Sequence, residues 1–318
     1  MRHSLSFISY SKFLIGTLSL FLILSALTFT ACSQKQAITQ PPVDPNAPLR
    51  DNTPVCLIPT ADGVTTFQNE YATVDISNAG EGYIMACYTG SCDAVKLQIV
   101  GPDYMTYTYD LLTDYDVFPL SAGSGSYTIG VYENVSGNQY ATVLSETTEV
   151  TITNEMGAFL YPNQYVAFTK DSAVVAKAQE LSEQTYNELG VITNVYNYVI
   201  SNITYDYEKA ENVQSGYIPA VDDILASGTG ICLDYAAVMT SMLRSQQIPT
   251  RLEVGYAGDV YHAWISTYIP DQGWVNGIIQ FDGTTWELMD PTFAANESEK
   301  KLKSFIGDGS NYLAKYIY

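Results

Sequence analysis

Apolar positions change their spacing about halfway along the chain. Between residues 55 and 153 they fall in short runs that alternate with polar positions, as at Val95, Leu97 and Ile99. A period of two puts alternate side chains on one face, which is the pattern of a half-buried strand. "YATVDIS", "GYIMACYTG", "AVKLQIVG", "TYTYDLL", "GSYTIGVYENV" and "YATVLSETTEVTI" all read this way, with "SAGSGS" and "VSGNQ" as turns between them. Six or so short strands in about a hundred residues predict an antiparallel β-sandwich.

Beyond residue 154 the period lengthens. "DSAVVAKAQELSEQTYNE" sets Val174, Ala178 and Leu181 on one helical face, with Asp171 or Ser172 as N-cap. Gly190 is expected to interrupt before "VITNVYNYVISNI", and "AVDDILASG" is a short amphipathic piece. "GTGICLDYAAVMTSMLRSQQ" follows, a glycine turn and then a helix with Ala236, Met239, Met242 and Leu243 on its apolar face. "TRLEVGY", "YHAWISTYI" and "TTWELMD" read as strands, with turns at residues 270–273 and 282–284. Helices first and antiparallel strands second predict an α+β domain over residues 154–318.

The first thirty residues belong to neither pattern. Arg2, His3 and Lys12 make a basic start, and "FLIGTLSLFLILSALTFTA" is an apolar run ending in small residues, as in an export signal. The next residues, "LTFTACSQ", resemble the lipobox of bacterial lipoproteins, which makes Cys32 the lipidated residue, although Phe29 stands where an aliphatic residue is more usual. The rival reading is an uncleaved membrane anchor, since the run is long enough to span a bilayer. "SQKQAITQPPVDPNAPLRDNTP", rich in proline and polar residues, reads as a tether. The expected organisation is a signal peptide at 1–31, a flexible tether at 32–54, an immunoglobulin-like β-sandwich at 55–153 and a catalytic domain at 154–318. Loss of residues 1–31 would leave 12 of the 14 basic residues against all 34 acidic ones. Such a body repels nucleic acid and anionic headgroups, so attachment to an extracytoplasmic membrane surface would rest on the lipid.

Cysteines and histidines separate by position. Cys56, Cys87 and Cys92 lie in the first half and leave one disulfide or none open, while Cys232 is alone in the second half. Removal of His3 with the signal leaves a single histidine, His262, which excludes a zinc site of several histidines. No metal and no cofactor are expected. A cysteine thiol attacks as its thiolate and needs a neighbour or a dipole that favours the anion. Cys232 falls in the first turn of its helix, where unpaired amides and the positive dipole end do this and could also hold an oxyanion. His262, in "YHAWIS", is the candidate base and shares a strand face with Trp264. Asp290, in "LMDPT", is the candidate carboxylate that orients the imidazole, placed at a strand end by Pro291. Trp264 reads as packing beside the histidine, Arg251 and Asp234 as ion-paired scaffold, and Asp206 as a loop or a cleft wall. Most of the 26 tyrosines suit half-buried strands, with an exposed ligand face for peptide or glycan as the rival reading.

These residues carry a family resemblance. "GTGICLDYAAVMTSMLRSQQIPTRLEVGY", then "HAW", then "DPT" resembles the transglutaminase-like superfamily, over a little more than a third of the chain. The resemblance implies a papain-related α+β core, with Cys232 as nucleophile, His262 as general base and acid, and Asp290 as orienting group. It implies acyl transfer from a peptide or protein amide, cell-wall peptide included, through a thioester that water or an amine resolves. Hydrolysis is expected over cross-linking, and "DYDV" around Asp114 lies too far from this region to suggest the calcium cage of animal transglutaminases. The competing class is a non-catalytic surface module that keeps the fold for binding or adhesion. Oligomeric state is not legible.

Overall fold

The computed structural model describes residues 44, 46–112, 114–270, 272–276, 278–281, 286–296 and 311–318. Cys32, the signal segment and the turn at 282–284 lie outside them. No helix among the described residues is long and apolar enough to cross a membrane.

Eight strands come first: β1 (Thr66–Gln68), β2 (Ala72–Asp75), β3 (Tyr83–Tyr88), β4 (Val95–Val100), β5 (Thr106–Asp110), β6 (Asp116–Pro119), β7 (Gly125–Ser136) and β8 (Gln139–Val150). They form two antiparallel four-stranded sheets, β1-β2-β3-β6 and β5-β4-β7-β8. All six expected strands are present. Of the two that the pattern missed, β1 has only three residues, and β6 buries two adjacent residues and ends in proline, so neither shows a period of two. Val95, Leu97 and Ile99 are buried on one face of β4 as the alternation requires, and Tyr109 of one sheet meets Phe118 of the other at 4.8 Å.

The second half continues with α1 (Ala173–Ser182), α2 (Glu188–Asn202), β9 (Thr204–Tyr205), α3 (Tyr207–Asn212), α4 (Val221–Ser227), β10 (Thr229–Gly230) and α5 (Cys232–Ser245). Then come β11 (Thr250–Ala257), β12 (Val260–Ile269), β13 (Gly273–Asn276), β14 (Ile278–Phe281), β15 (Trp286–Met289), α6 (Pro291–Asn296) and β16 (Tyr312–Ile317). A four-stranded sheet runs β13-β12-β11-β16, and α5 packs on its β11 and β12 strands. Strand β16, unread in the sequence, pairs with β11 and brings the end of the chain back beside the centre of the fold.

Three local expectations need correction. Gly190 does not interrupt a helix. It lies inside the first turn of α2, where its amide donates to the Asn187 side chain at 2.9 Å, and a glycine in a capped first turn costs the helix little. Helix α5 is not amphipathic, because every residue from Asp234 to Ser245 is buried; it is the central helix of the domain. Of the glycines before Cys232, only Gly228 uses a positive φ, +65°, while Gly230 is needed because a Cβ there would lie 2.7 Å from that of Asp234.

The two halves share an apolar core. Tyr107 and Tyr109 of β5 meet Tyr318 at 5.8 and 6.0 Å between ring centroids, and Tyr165 joins them at 4.4 Å from Tyr318. The far end of the expected tether is also docked, since Arg50 N–H donates to Thr185 O, and the residue that follows the tether, Val55, donates its N–H to Ser245 O. Cys56, Cys87, Cys92 and Cys232 are all free thiols, so the disulfide among the first three is not formed.

Candidate active site

Cys232 is the first residue of α5. The turn before it is held from two sides. Thr204 N–H donates to Gly228 O and Asp206 N–H to Gly230 O, which ties the glycine turn to β9. Asp234, fully buried one turn into the helix, accepts from Ile231 N–H at 2.9 Å, Lys209 Nζ at 2.6 Å and Tyr217 Oη at 2.6 Å. Asp234 is thus the ion-paired scaffold that was expected. Arg251 is not: its guanidinium lies 3.7 Å over the Trp274 ring and 4.7 Å over that of Phe159, a cation–π setting in place of an ion pair. Asp206 takes the loop reading: it lies between β9 and α3, outside the cleft lining, and its carboxylate caps α3 by accepting from Lys209 N–H at 2.9 Å.

His262 stands on β12 opposite Gly255 of β11. Trp264 follows on the same face with its ring 6.2 Å from the imidazole, and its indole N–H donates to the buried Glu253 at 2.9 Å. Trp264 therefore packs beside the histidine while its polar atom is satisfied elsewhere. Asp290 sits between β15 and α6, at the strand end that Pro291 dictates. His262 Nε2 donates to Asp290 Oδ2 at 2.7 Å, and both residues are at most 4% exposed. The other carboxylate oxygen accepts from Thr292 N–H at 2.9 Å.

With Nε2 on Asp290, the hydrogen bond between His262 and the Cys232 thiol falls to Nδ1. Burial alone would pull the imidazole down, but the Asp290 carboxylate, its hydrogen bond and the neighbouring Cys232 outweigh it and push His262 up to about 10. An imidazolium and a helix start therefore flank the sulfur. Both would stabilise a thiolate. Of the two, only the imidazolium can give a proton to a leaving amine.

Two tyrosines at this site were not singled out in the sequence. Tyr312 of β16 donates to Asp290 Oδ2 at 3.0 Å, the same oxygen that accepts the hydrogen bond from His262 Nε2. Tyr205 of β9 lines the cleft beside Cys232, and burial, followed by the charge of Cys232, pushes its phenol up to about 12. The phrase "NITYDYE" held a signal for Tyr205, a strand-like tyrosine at the end of the apolar run of α2. Nothing local marked Tyr312.

Cys232 and His262 open into a cleft of about 490 Å³. Its other walls include Tyr165, Tyr217, Val213, Tyr261 and Tyr318, and no aspartate or glutamate is among the described residues that line it. Among the described residues no three histidine, cysteine or carboxylate side chains converge as a metal site.

Residues 175–277 match the transglutaminase-like superfamily, a span that holds Cys232 and His262 and ends before Asp290. A protein-glutamine gamma-glutamyltransferase of Pseudomonas aeruginosa is 31% identical over 111 residues, 30% of this chain and 15% of its own length. The uncharacterised protein YebA of Bacillus subtilis is 26% identical over 186 residues, 50% of this chain and 24% of its own. The chain thus spans under a quarter of the length of both curated relatives. Among solved structures, a candidate cysteine protease from Cytophaga hutchinsonii aligns over 75% of this chain and 71% of its own, at 13% identity and a TM-score of 0.34. Red sea bream transglutaminase aligns over 66% and 49%, at 16% identity and a TM-score of 0.25. Residues 175–277 are a domain of the transglutaminase-like superfamily.

Proposed function

We propose that this chain is a cysteine-dependent acyl transferase acting on peptide or protein amides, with Cys232 as nucleophile, His262 as base and acid, and Asp290 as the group that orients the imidazole. The observation that carries this reading is the Cys232–His262–Asp290 relay at the floor of an open cleft. The Cys232 thiolate attacks the carbonyl carbon, and the amine leaves with the proton held by His262. The resulting thioester is then cleaved by water, which gives up a proton to His262 and regenerates the thiol. Hydrolysis is the favoured outcome. His262 can deprotonate either acceptor, and water alone needs no binding site of its own to reach the thioester.

The enzyme is held outside the cytoplasm by a lipid on Cys32, with residues 55–153 as an immunoglobulin-like module beside the catalytic domain. The basic start, the apolar run and the lipobox-like "TACS" support the anchor, and the two four-stranded sheets support the module. Replacing Cys32 by serine should move the protein from the membrane to the soluble fraction. Unchanged membrane retention would favour an uncleaved span.

The deciding experiment follows the alkylation of Cys232 by iodoacetamide against pH, with the other cysteines replaced by serine. Rapid alkylation well below pH 8 that disappears in His262→Ala is the expected result. Equal and ordinary reactivity in both proteins would sink the enzyme and leave a binding module.

A further inference from the structure

The cleft does not end at its walls. Strands β12, β11 and β16 are neighbours in the sheet, and one face of β12 and β11 borders the cleft. Val254 and Ala263 are register partners on that face and line the cleft. One step outward, Tyr256 pairs with Tyr261 on one side and with Leu313 on the other. The two rings meet at 5.5 Å, edge to face. Tyr261 is 56% exposed, Tyr256 41% and Leu313 70%, although β11 and β12 are inner strands of the sheet. With strands about 4.8 Å apart, this row is about 10 Å wide, enough for two or three residues of an extended peptide at about 3.3 Å each.

We infer that the substrate is a polypeptide that lays an aromatic or aliphatic side chain on the Tyr261–Tyr256–Leu313 row, one to three residues from the amide placed at Cys232, and that it carries no acidic residue there. The inference rests on the cysteine-enzyme reading and names its substrate class. Three observations fix the occupant. The row is continuous with the cleft through Tyr261, which lines both. Its members are apolar or aromatic and include Leu313, which favours apolar side chains over a sugar. No charged side chain other than the reacting His262 lines the cleft, and the nearby Lys209 ammonium is bound to Asp234 and Tyr217. Within the cleft lining a substrate carboxylate would meet no counter-charge but His262, and it would approach a chain of net charge −20.

The test uses the full chain with Cys232→Ala, so that nothing is turned over, and dye-labelled hexapeptides read by fluorescence polarisation. One peptide carries Phe-Leu beside a central glutamine, a second has Asp-Asp in that place, and a third Gly-Gly. The Phe-Leu peptide should bind at least tenfold more tightly than the Asp-Asp peptide, with the Gly-Gly peptide between them. Tyr256→Ser with Leu313→Ser should erase the preference, while Tyr256→Phe keeps it; the thermal midpoint of each variant checks that the sheet is intact. Equal binding of all three peptides, or a preference that survives the double variant, would overturn the inference. So would displacement of the Phe-Leu peptide by an N-acetylated oligosaccharide of matching length. A reactive, His262-dependent Cys232 beside indifferent peptide binding would overturn this inference alone. An unreactive thiol would overturn the enzyme reading independently.

Discussion

Asp290 holds its carboxylate by three donors on two oxygens: His262 Nε2 and Tyr312 Oη on one, and Thr292 N–H on the other. The carboxylate keeps the imidazole in one tautomer and stabilises its protonated form, which leaves Nδ1 to serve the sulfur. Asp290→Asn keeps the shape but removes the charge. In the analogous serine-protease triad this change costs about 10⁴ in kcat, and a loss of at least 10² is expected here, measured as amide turnover. Stability should change as well. His262 is raised above its unfolded value of about 6.5, so its contribution is complete below that pH and is lost as pH rises through about 10. The stability gap between the native protein and Asp290→Asn should therefore be widest near pH 6 and shrink by pH 10 in urea titrations. Tyr312→Phe removes one neutral donor, worth about 1 kcal/mol, and should lower kcat several-fold while KM stays constant.

At the scale of elements, the reactive turn depends on a latch between α3, α5 and the β9–β10 pair. Asp234 is buried and takes three donors, one of them the Lys209 ammonium. Removing one partner of such a pair strands the other charge. Asp234→Ala should cost about 3 kcal/mol in urea unfolding and free the 207–217 segment that walls the cleft. Limited proteolysis should then cut within that segment, whereas an uncut segment would mean that the wall stands without the latch. A second device lies in β11, where a Cβ on Gly255 would sit 2.1 Å from Leu313 O. Glycine there lets β16 close on β11 and bring Tyr312 under Asp290.

On the scale of the whole molecule, the β-rich half and the catalytic half meet through rings. Tyr107, Tyr109, Tyr165 and Tyr318 form one contact cluster, and burial raises the phenols of all four. Arg244 of α5 adds a buried tie by donating to Thr250 O at 3.0 Å, Tyr161 O at 2.6 Å and Tyr318 O at 2.8 Å, and burial lowers it to about 9. Tyr109→Ala should lose about 3 to 5 kcal/mol by leaving a cavity between the halves. All three tryptophans, Trp264, Trp274 and Trp286, lie in the second half. Their fluorescence midpoint should therefore fall with the far-ultraviolet signal in one transition. A tryptophan midpoint that Tyr109→Ala leaves in place would mean that the halves unfold independently.

What the sequence determined by itself was whatever is written locally. Period two gave the β4 face of Val95, Leu97 and Ile99, a glycine turn before an apolar run placed Cys232 at a helix start, and Pro291 put Asp290 at a strand end. Likewise His262 and Trp264 share a face because β-strand alternation leaves no other choice. The tertiary structure decided what depends on strand order. Tyr312 lies 22 residues beyond Asp290 and reaches it only because β16 adds to the sheet beside β11. Tyr205 meets Cys232 only because β9 pairs with β10. The exposed row beside the cleft exists only because β12, β11 and β16 are neighbours in one sheet. Contacts of this kind leave no periodic trace in the chain, since their partners are chosen by the packing of the whole sheet rather than by neighbouring residues.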